Sequence, residues 1–141
     1  MNLPNIKSYN GSNASNTLTF YVLSKGENAG KPLNAPCPNC FLITCLTPEQ
    51  RDYWYWLSWG LWKSKSFHIN LRGSVIPFLR ICDYSEVIER ACLQTINKPQ
   101  QLAQALETMR NLEELEKTTL QKLITIKQMR VAVFHKVLRR E

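Results

Sequence analysis

From Pro99 to Arg140 the chain contains no glycine and no second proline. Leu, Gln, Glu, Lys and Met, all strong helix formers, dominate this run. A single helix of about 42 residues would extend roughly 63 Å at 1.5 Å per residue. That is longer than a small domain is wide, so part of it should project or pair with another helix. Leu102, Ala105, Met109 and Leu112 approximate a heptad seam. The seam breaks at Glu116 and Thr119 and resumes at Leu123, Ile126, Val133 and Val137. Polar residues on a seam weaken a coiled coil but can set its register. The sequence therefore predicts a long basic C-terminal helix over 97–141, with Leu102, Met109, Leu112, Leu123, Ile126, Val133 and Val137 as candidates for pairing. A turn near Lys117–Thr119, folding the run into a hairpin, is the alternative.

Charge is segregated in the same helix. Lys117, Lys122, Lys127, Arg130, Lys136, Arg139 and Arg140 lie within 117–140 without an acidic residue, and they equal the whole formal charge of +7. On a helical wheel Lys117, Lys122, Lys136, Arg139 and Arg140 oppose a half made of Leu120, Leu123, Ile124, Ile126, Val131, Val133, Phe134, Val137 and Leu138. One face can pack while the other meets phosphates or an acidic partner. A merely solvated polar face is the plainer reading of the same pattern.

A second segment, "DYWYWLSWGLW" at 52–62, holds all four tryptophans. Thr47-Pro48-Glu49-Gln50 before it is a helix start: Thr47 can cap, Pro48 suits the first helical position and Gln50 completes a capping box. The helix should run from Pro48 to about Lys65. Its apolar residues encircle the wheel, interrupted only by Ser58, which predicts a helix buried on all sides. A partner interface and a base-stacking platform are the functional alternatives. Buried indole N–H groups need partners, so one or two of these rings should sit at the margin of the core.

Around that helix the remaining signals suit a small sheet. Residues 1–16 are rich in Asn and Ser and read as a mobile tail or a loosely docked strand. Thr17–Gly26 is β-branched and aromatic, and Phe41–Leu46 is a short apolar run; both predict strands. Ser74–Ile81 predicts a third, at an edge or bulged because Pro77 lacks an N–H. Asp83-Tyr84-Ser85-Glu86 reads as a capping box opening a helix from Tyr84 to about Gln94. With 141 residues, 44% of them hydrophobic, the chain can bury a core without staples. The expected class is α/β or α+β: a tail over 1–16, a small domain over 17–96 with a sheet packed on the Trp-rich helix, then the long helix.

Catalytic and metal-binding patterns are weak. Cys37-Pro38-Asn39-Cys40 supplies one cysteine pair where zinc commonly takes two clusters. The pair precedes a strand, whereas a redox dithiol opens a helix. "GENAGKP" (26–32) has three residues between its glycines, not the four of a phosphate loop, and Pro32 follows Lys31. It reads as a turn in which Gly26 and Gly30 supply positive φ. His68 has no nucleophile or acid near it in sequence and reads as structural or superficial. The expectation is no catalytic residue, no metal and no cofactor. Five cysteines, an odd number, do not suggest a disulfide framework. No apolar run has signal-peptide length or approaches the ~20 residues of a membrane span. A cytoplasmic protein without membrane contact is expected.

Two resemblances add to this. "TFYVLSKGENAGKPLNAPCPNCF", "YWYWLSWGLWKSKSFH" and "GSVIPFLRI" resemble an uncharacterised family of small proteins from Bacteroidetes mobile elements, a domain of unknown function. More distantly, a strand ending in "LSKG", the "GKP" loop, "NCFLI", the aromatic helix, "GSVIPFL" and a long helix resemble the target-recognition half of type I restriction-modification specificity subunits. That resemblance implies a non-enzymatic module associated with double-stranded DNA, whose helix pairs with a second copy or a partner helix. The candidate phosphate contacts are then Lys25, Lys31, Lys63, Lys65, Lys117, Lys122, Lys136, Arg139 and Arg140. A protein-interaction or inhibitor protein of a mobile element, binding no nucleic acid, is the alternative.

Overall fold

The computed structural model describes residues 3–12 and 16–138. In chain order the elements are β1 (Asn5–Ser8), β2 (Thr19–Leu23), β3 (Pro32–Leu33), β4 (Cys40–Thr44), α1 (Pro48–Lys63), a single 3-10 turn (His68–Asn70), α2 (Ile81–Thr95) and α3 (Pro99–Leu138). They fall into two compact units, Met1–Leu106 and Glu107–Glu141. This is the expected mixed fold: a small sheet, an aromatic helix and a long C-terminal helix.

The sheet has the order β1-β4-β2-β3 and is antiparallel throughout. Its two central strands are apolar on both faces, for a reason visible in the register. Phe20 pairs with Ile43 and Val22 with Phe41. These four share one face, against which Trp54 and Leu57 of α1 and Tyr84, Val87, Ile88 and Ala91 of α2 are buried. Tyr21, Cys40 and Leu42 alternate onto the other face, where Tyr9, Leu33 and Cys37 cover them. Side chains two apart along a strand share a face, so a strand covered on both sides reads as a continuous apolar run.

The N-terminal stretch supplies β1, whose Asn5–Ser8 pairs with Phe41–Thr44. The strand expected over Ser74–Ile81 does not form. Phe78 makes isolated bridges to Lys25 and Arg72, and the segment is otherwise a loop. Arg72 and Phe78 exchange two backbone hydrogen bonds (2.9 and 2.8 Å), which turns the chain back on itself. Gly73 at φ 97° and Pro77 inside that loop stop the pairing from propagating.

Three helix readings are refined. Thr47 Oγ1 accepts from the Gln50 N–H at 3.2 Å as expected, but Gln50 Oε1 reaches back to the N–H of Leu46. The Asp83–Glu86 capping box is not present: α2 begins two residues earlier than Asp83, after Arg80, and Asp83 lies inside its first turn. The turn considered at Lys117–Thr119 is absent, and α3 is continuous from Pro99 to Leu138.

α1 is not buried on all sides. Trp54, Leu57, Ser58 and Trp59 are buried, while Tyr53, Tyr55, Trp56 and Trp62 are half-buried. Ser58, the one polar break in the aromatic run, is fully buried and lies 2.6 Å from the hydroxyl of Tyr84. That phenol is itself buried and stacks on Phe67 with ring centroids 5.3 Å apart. Burial pushes its pKa well above the ordinary tyrosine value, against the lowering effect of the Ser58 bond. The Trp54 indole N–H is buried with no hydrogen-bond partner, while Trp56 and Trp62 sit at the margin of the core, as expected for one or two of these rings.

Candidate functional site

The half-buried side of α1 carries an aromatic ledge. Trp56, Trp59 and Trp62 are three residues apart, the spacing that makes neighbours on a helix surface. Their ring centroids are separated by 5.8 and 6.1 Å, and Tyr55 continues the row 5.6 Å from Trp56. Cations lie over these rings. Lys63 Nζ is 4.7 Å from the Trp59 centroid and 5.5 Å from that of Trp62. Lys31 Nζ is 5.1 Å from Trp62. Indole faces carry negative quadrupole density and hold ammonium groups at these distances. Two lysines thirty-two residues apart in sequence are thus drawn to one tryptophan.

Local backbone chemistry brings them there. Gly26 and Gly30 take φ values of 90° and 95°, as the glycine positions predicted. The loop between them is closed by Ala29 N–H to Gly26 O (3.0 Å) and Lys31 N–H to Asn28 O (3.0 Å). Gly30 also lies against Phe67, whose ring occupies the space where a Cβ would stand. The loop is thereby pressed onto the segment leaving α1, which carries Lys31 toward Trp62. At the end of α1 the Lys65 N–H bonds Trp62 O (3.0 Å) and the Ser66 N–H bonds Leu61 O (2.9 Å). This is a Schellman ending with Lys65 in the left-handed position, φ 59°, where glycine is the usual residue. A β-carbon there costs on the order of 1–2 kcal/mol.

Trp62, Lys63, Lys65 and His68 line one concavity of about 530 Å³ with Glu27, Asn28, Leu71 and Pro77. Lys31 borders it through its contact with Trp62. Lys25 is exposed, and its backbone bridges to Phe78, next to Pro77. Four of the sequence-predicted lysines therefore belong to one neighbourhood of the Met1–Leu106 unit. His68, read from sequence as structural or superficial, lines the same hollow. Neither its charge nor its neighbours in sequence signalled that; it is placed there by the 3-10 turn after α1.

The remaining candidates lie elsewhere. Lys117, Lys122 and Lys136 are exposed on α3 in the Glu107–Glu141 unit, and Arg139 and Arg140 lie outside the described residues. Of the pairing candidates, Leu102 packs against the core described above. Met109 is half-buried, and Leu112, Leu123, Ile126, Val133 and Val137 are exposed on α3.

Asp83 and the cysteine pair, away from the ledge, have structural partners. Asp83 accepts two 2.7 Å hydrogen bonds from Arg80, with Arg72 Nε 3.7 Å away. The Arg80 hydrogen bonds, aided by the charges of both arginines, hold its carboxyl below the ordinary aspartate range. Cys40 Sγ donates to Cys37 O (2.9 Å), and Asn39 takes φ 61° between them, so the cysteine pair forms a tight turn. Burial raises the Cys40 thiol pKa and pushes Cys45 up to about 11. Among the described residues no three His, Cys, Asp or Glu side chains gather as metal ligands, and no helix is long and apolar enough to cross a membrane.

No curated protein and no solved structure matches the chain. Residues 6–136 match a family of unknown function, DUF6943; the match covers nearly the whole chain, which therefore belongs to that family.

Proposed function

We propose that the chain is a non-enzymatic DNA-associated module that holds the phosphate backbone of a duplex at the Trp62 concavity. One observation carries this reading: Lys31, from a glycine-shaped loop, and Lys63, from α1, converge on Trp62 at 5.1 and 5.5 Å. Lys65 joins them on the same hollow at the expense of an unfavourable left-handed backbone. Ammonium groups held over indole faces lose less side-chain freedom when an anion binds. The likeness of these segments to the target-recognition half of type I specificity subunits points to the same class of partner. On this reading the protein works in the cytoplasm, where DNA is accessible.

The test is fluorescence anisotropy of a labelled random duplex at several salt concentrations. Each phosphate neutralised contributes about −0.9 to the slope of log affinity against log salt. Replacing Lys31, Lys63 and Lys65 together by alanine should flatten that slope by roughly 2–3. Binding that ignores salt, or a triple variant with the parent's slope, would remove the proposal.

A further inference from the structure

Every residue from Glu114 to Leu138 of α3 is exposed, including Leu120, Leu123, Ile126, Val133 and Val137 on its apolar side. Helices of this kind draw most of their stability from burying such a stripe, since intrinsic propensity alone is marginal. The charges along the same helix specify what can cover it. Glu107, Glu113, Glu114 and Glu116 lie in its first part with Arg110. From Lys117 to Lys136 every charged residue is basic: Lys117, Lys122, Lys127, Arg130 and Lys136.

We propose that the Glu107–Glu141 unit pairs antiparallel with the same unit of a second copy of this chain, about a two-fold axis near Gln121 and Lys122. In that register Glu116 stands level with Lys127 of the other copy and Glu113 with Arg130. The two-fold repeats each pairing, so one acidic block faces one basic block at either end. Leu120 meets Leu123 and Leu112 meets Val131 along the seam. A parallel pair would instead set two basic halves side by side, which like-charge repulsion opposes. A foreign acidic helix would match only the basic half; a second copy matches both. Self-complementarity about a two-fold is the requirement for a closed dimer. The charged seam residues Glu116 and Arg130, which interrupt the apolar repeat, then act as register marks. This inference is independent of nucleic-acid binding.

The test uses the full chain at low salt. Light scattering should give twice the chain mass. Zero-length carbodiimide coupling, mapped by mass spectrometry, should join Glu116 to Lys127 in the dimer band. Glu116 and Lys127 of one helix are about 16 Å apart, so their coupling reports two chains. The variant E113K/E116K should raise the dimer dissociation constant at least about tenfold at low salt. Adding K127E/R130E to that chain should restore the dimer, and circular dichroism would confirm that each variant keeps its helix. A monomer, couplings confined to the monomer band, or a dimer without the Glu116–Lys127 link would each overturn the proposal.

Discussion

The hydrogen bond between Ser58 and Tyr84 offers a sharp check on how the core is held. Both groups are fully buried and their oxygens are 2.6 Å apart. Ser58→Ala leaves the phenol hydroxyl buried beside a methyl group. An unsatisfied buried hydroxyl costs about 1–3 kcal/mol. Alanine's better helix propensity returns up to about 0.5 kcal/mol, so a net loss of roughly 0.5–2.5 kcal/mol is expected. Tyr84→Phe should cost less, about 1 kcal/mol, because Ser58 can turn its hydroxyl to the carbonyl one helical turn earlier. The informative variant carries both changes. With neither polar partner left, S58A/Y84F should be more stable than Ser58→Ala alone, since removing both members of a buried pair is nearly neutral. Urea titrations at pH 7 measure all four proteins, with the α1 tryptophans as the signal and linear extrapolation giving the differences. A double variant less stable than Ser58→Ala would refute the claim that the hydroxyl pair satisfies itself in an otherwise apolar core.

Three further outcomes follow from local geometry. Lys65→Gly should stabilise the fold by on the order of 1 kcal/mol in the same titration, since glycine adopts the left-handed cap without penalty, while weakening duplex binding at the Trp62 concavity. Thiol labelling at pH 8 should modify exposed Cys82 first and buried Cys45 last. The folded Cys45 pKa is raised to about 11. Its contribution is whole below the unfolded thiol value and is lost as pH climbs toward 11, because only the unfolded chain's thiol then ionises freely. Cys45→Ala should reduce the alkaline fall in stability between those limits.

How much of this was legible in the sequence depended on whether the signal was local. α1 announced its start through Thr47, Pro48 and Gln50, and α3 announced its length by lacking breakers. β2 and β4 were readable as apolar runs because both of their faces are covered. β1 was harder to place because NIKS is short and mostly polar, and its pairing uses backbone groups. β3 is only two residues long. Ser74–Ile81 has strand-like composition, but Gly73 and Pro77 close it into a loop, and tertiary context overrode propensity. α2 starts early because Arg80, extended at ψ 153°, turns the chain into the helix, where Asp83 then meets its guanidinium. In the candidate site, Lys63 and Lys65 could be named from their place beside the tryptophans. The meeting of Lys31 with Trp62 could not, because it depends on Gly30 docking against Phe67, a contact between segments far apart in sequence.

The order β1-β4-β2-β3 also bears on the solubility of the chain. β4 is almost entirely apolar, and its outer hydrogen-bonding edge is closed only by the four residues of β1. Without that strand, the N–H and C=O groups of Cys40–Thr44 would form an open hydrophobic template for other chains, the arrangement that seeds amyloid-like growth. Lys7 places a charge on the replacement edge, and at the opposite margin β3 is two residues long and begins with Pro32. Short, charged or proline-bearing margins resist further strand addition. The polar segment at the start of the chain thus serves as a guard against aggregation.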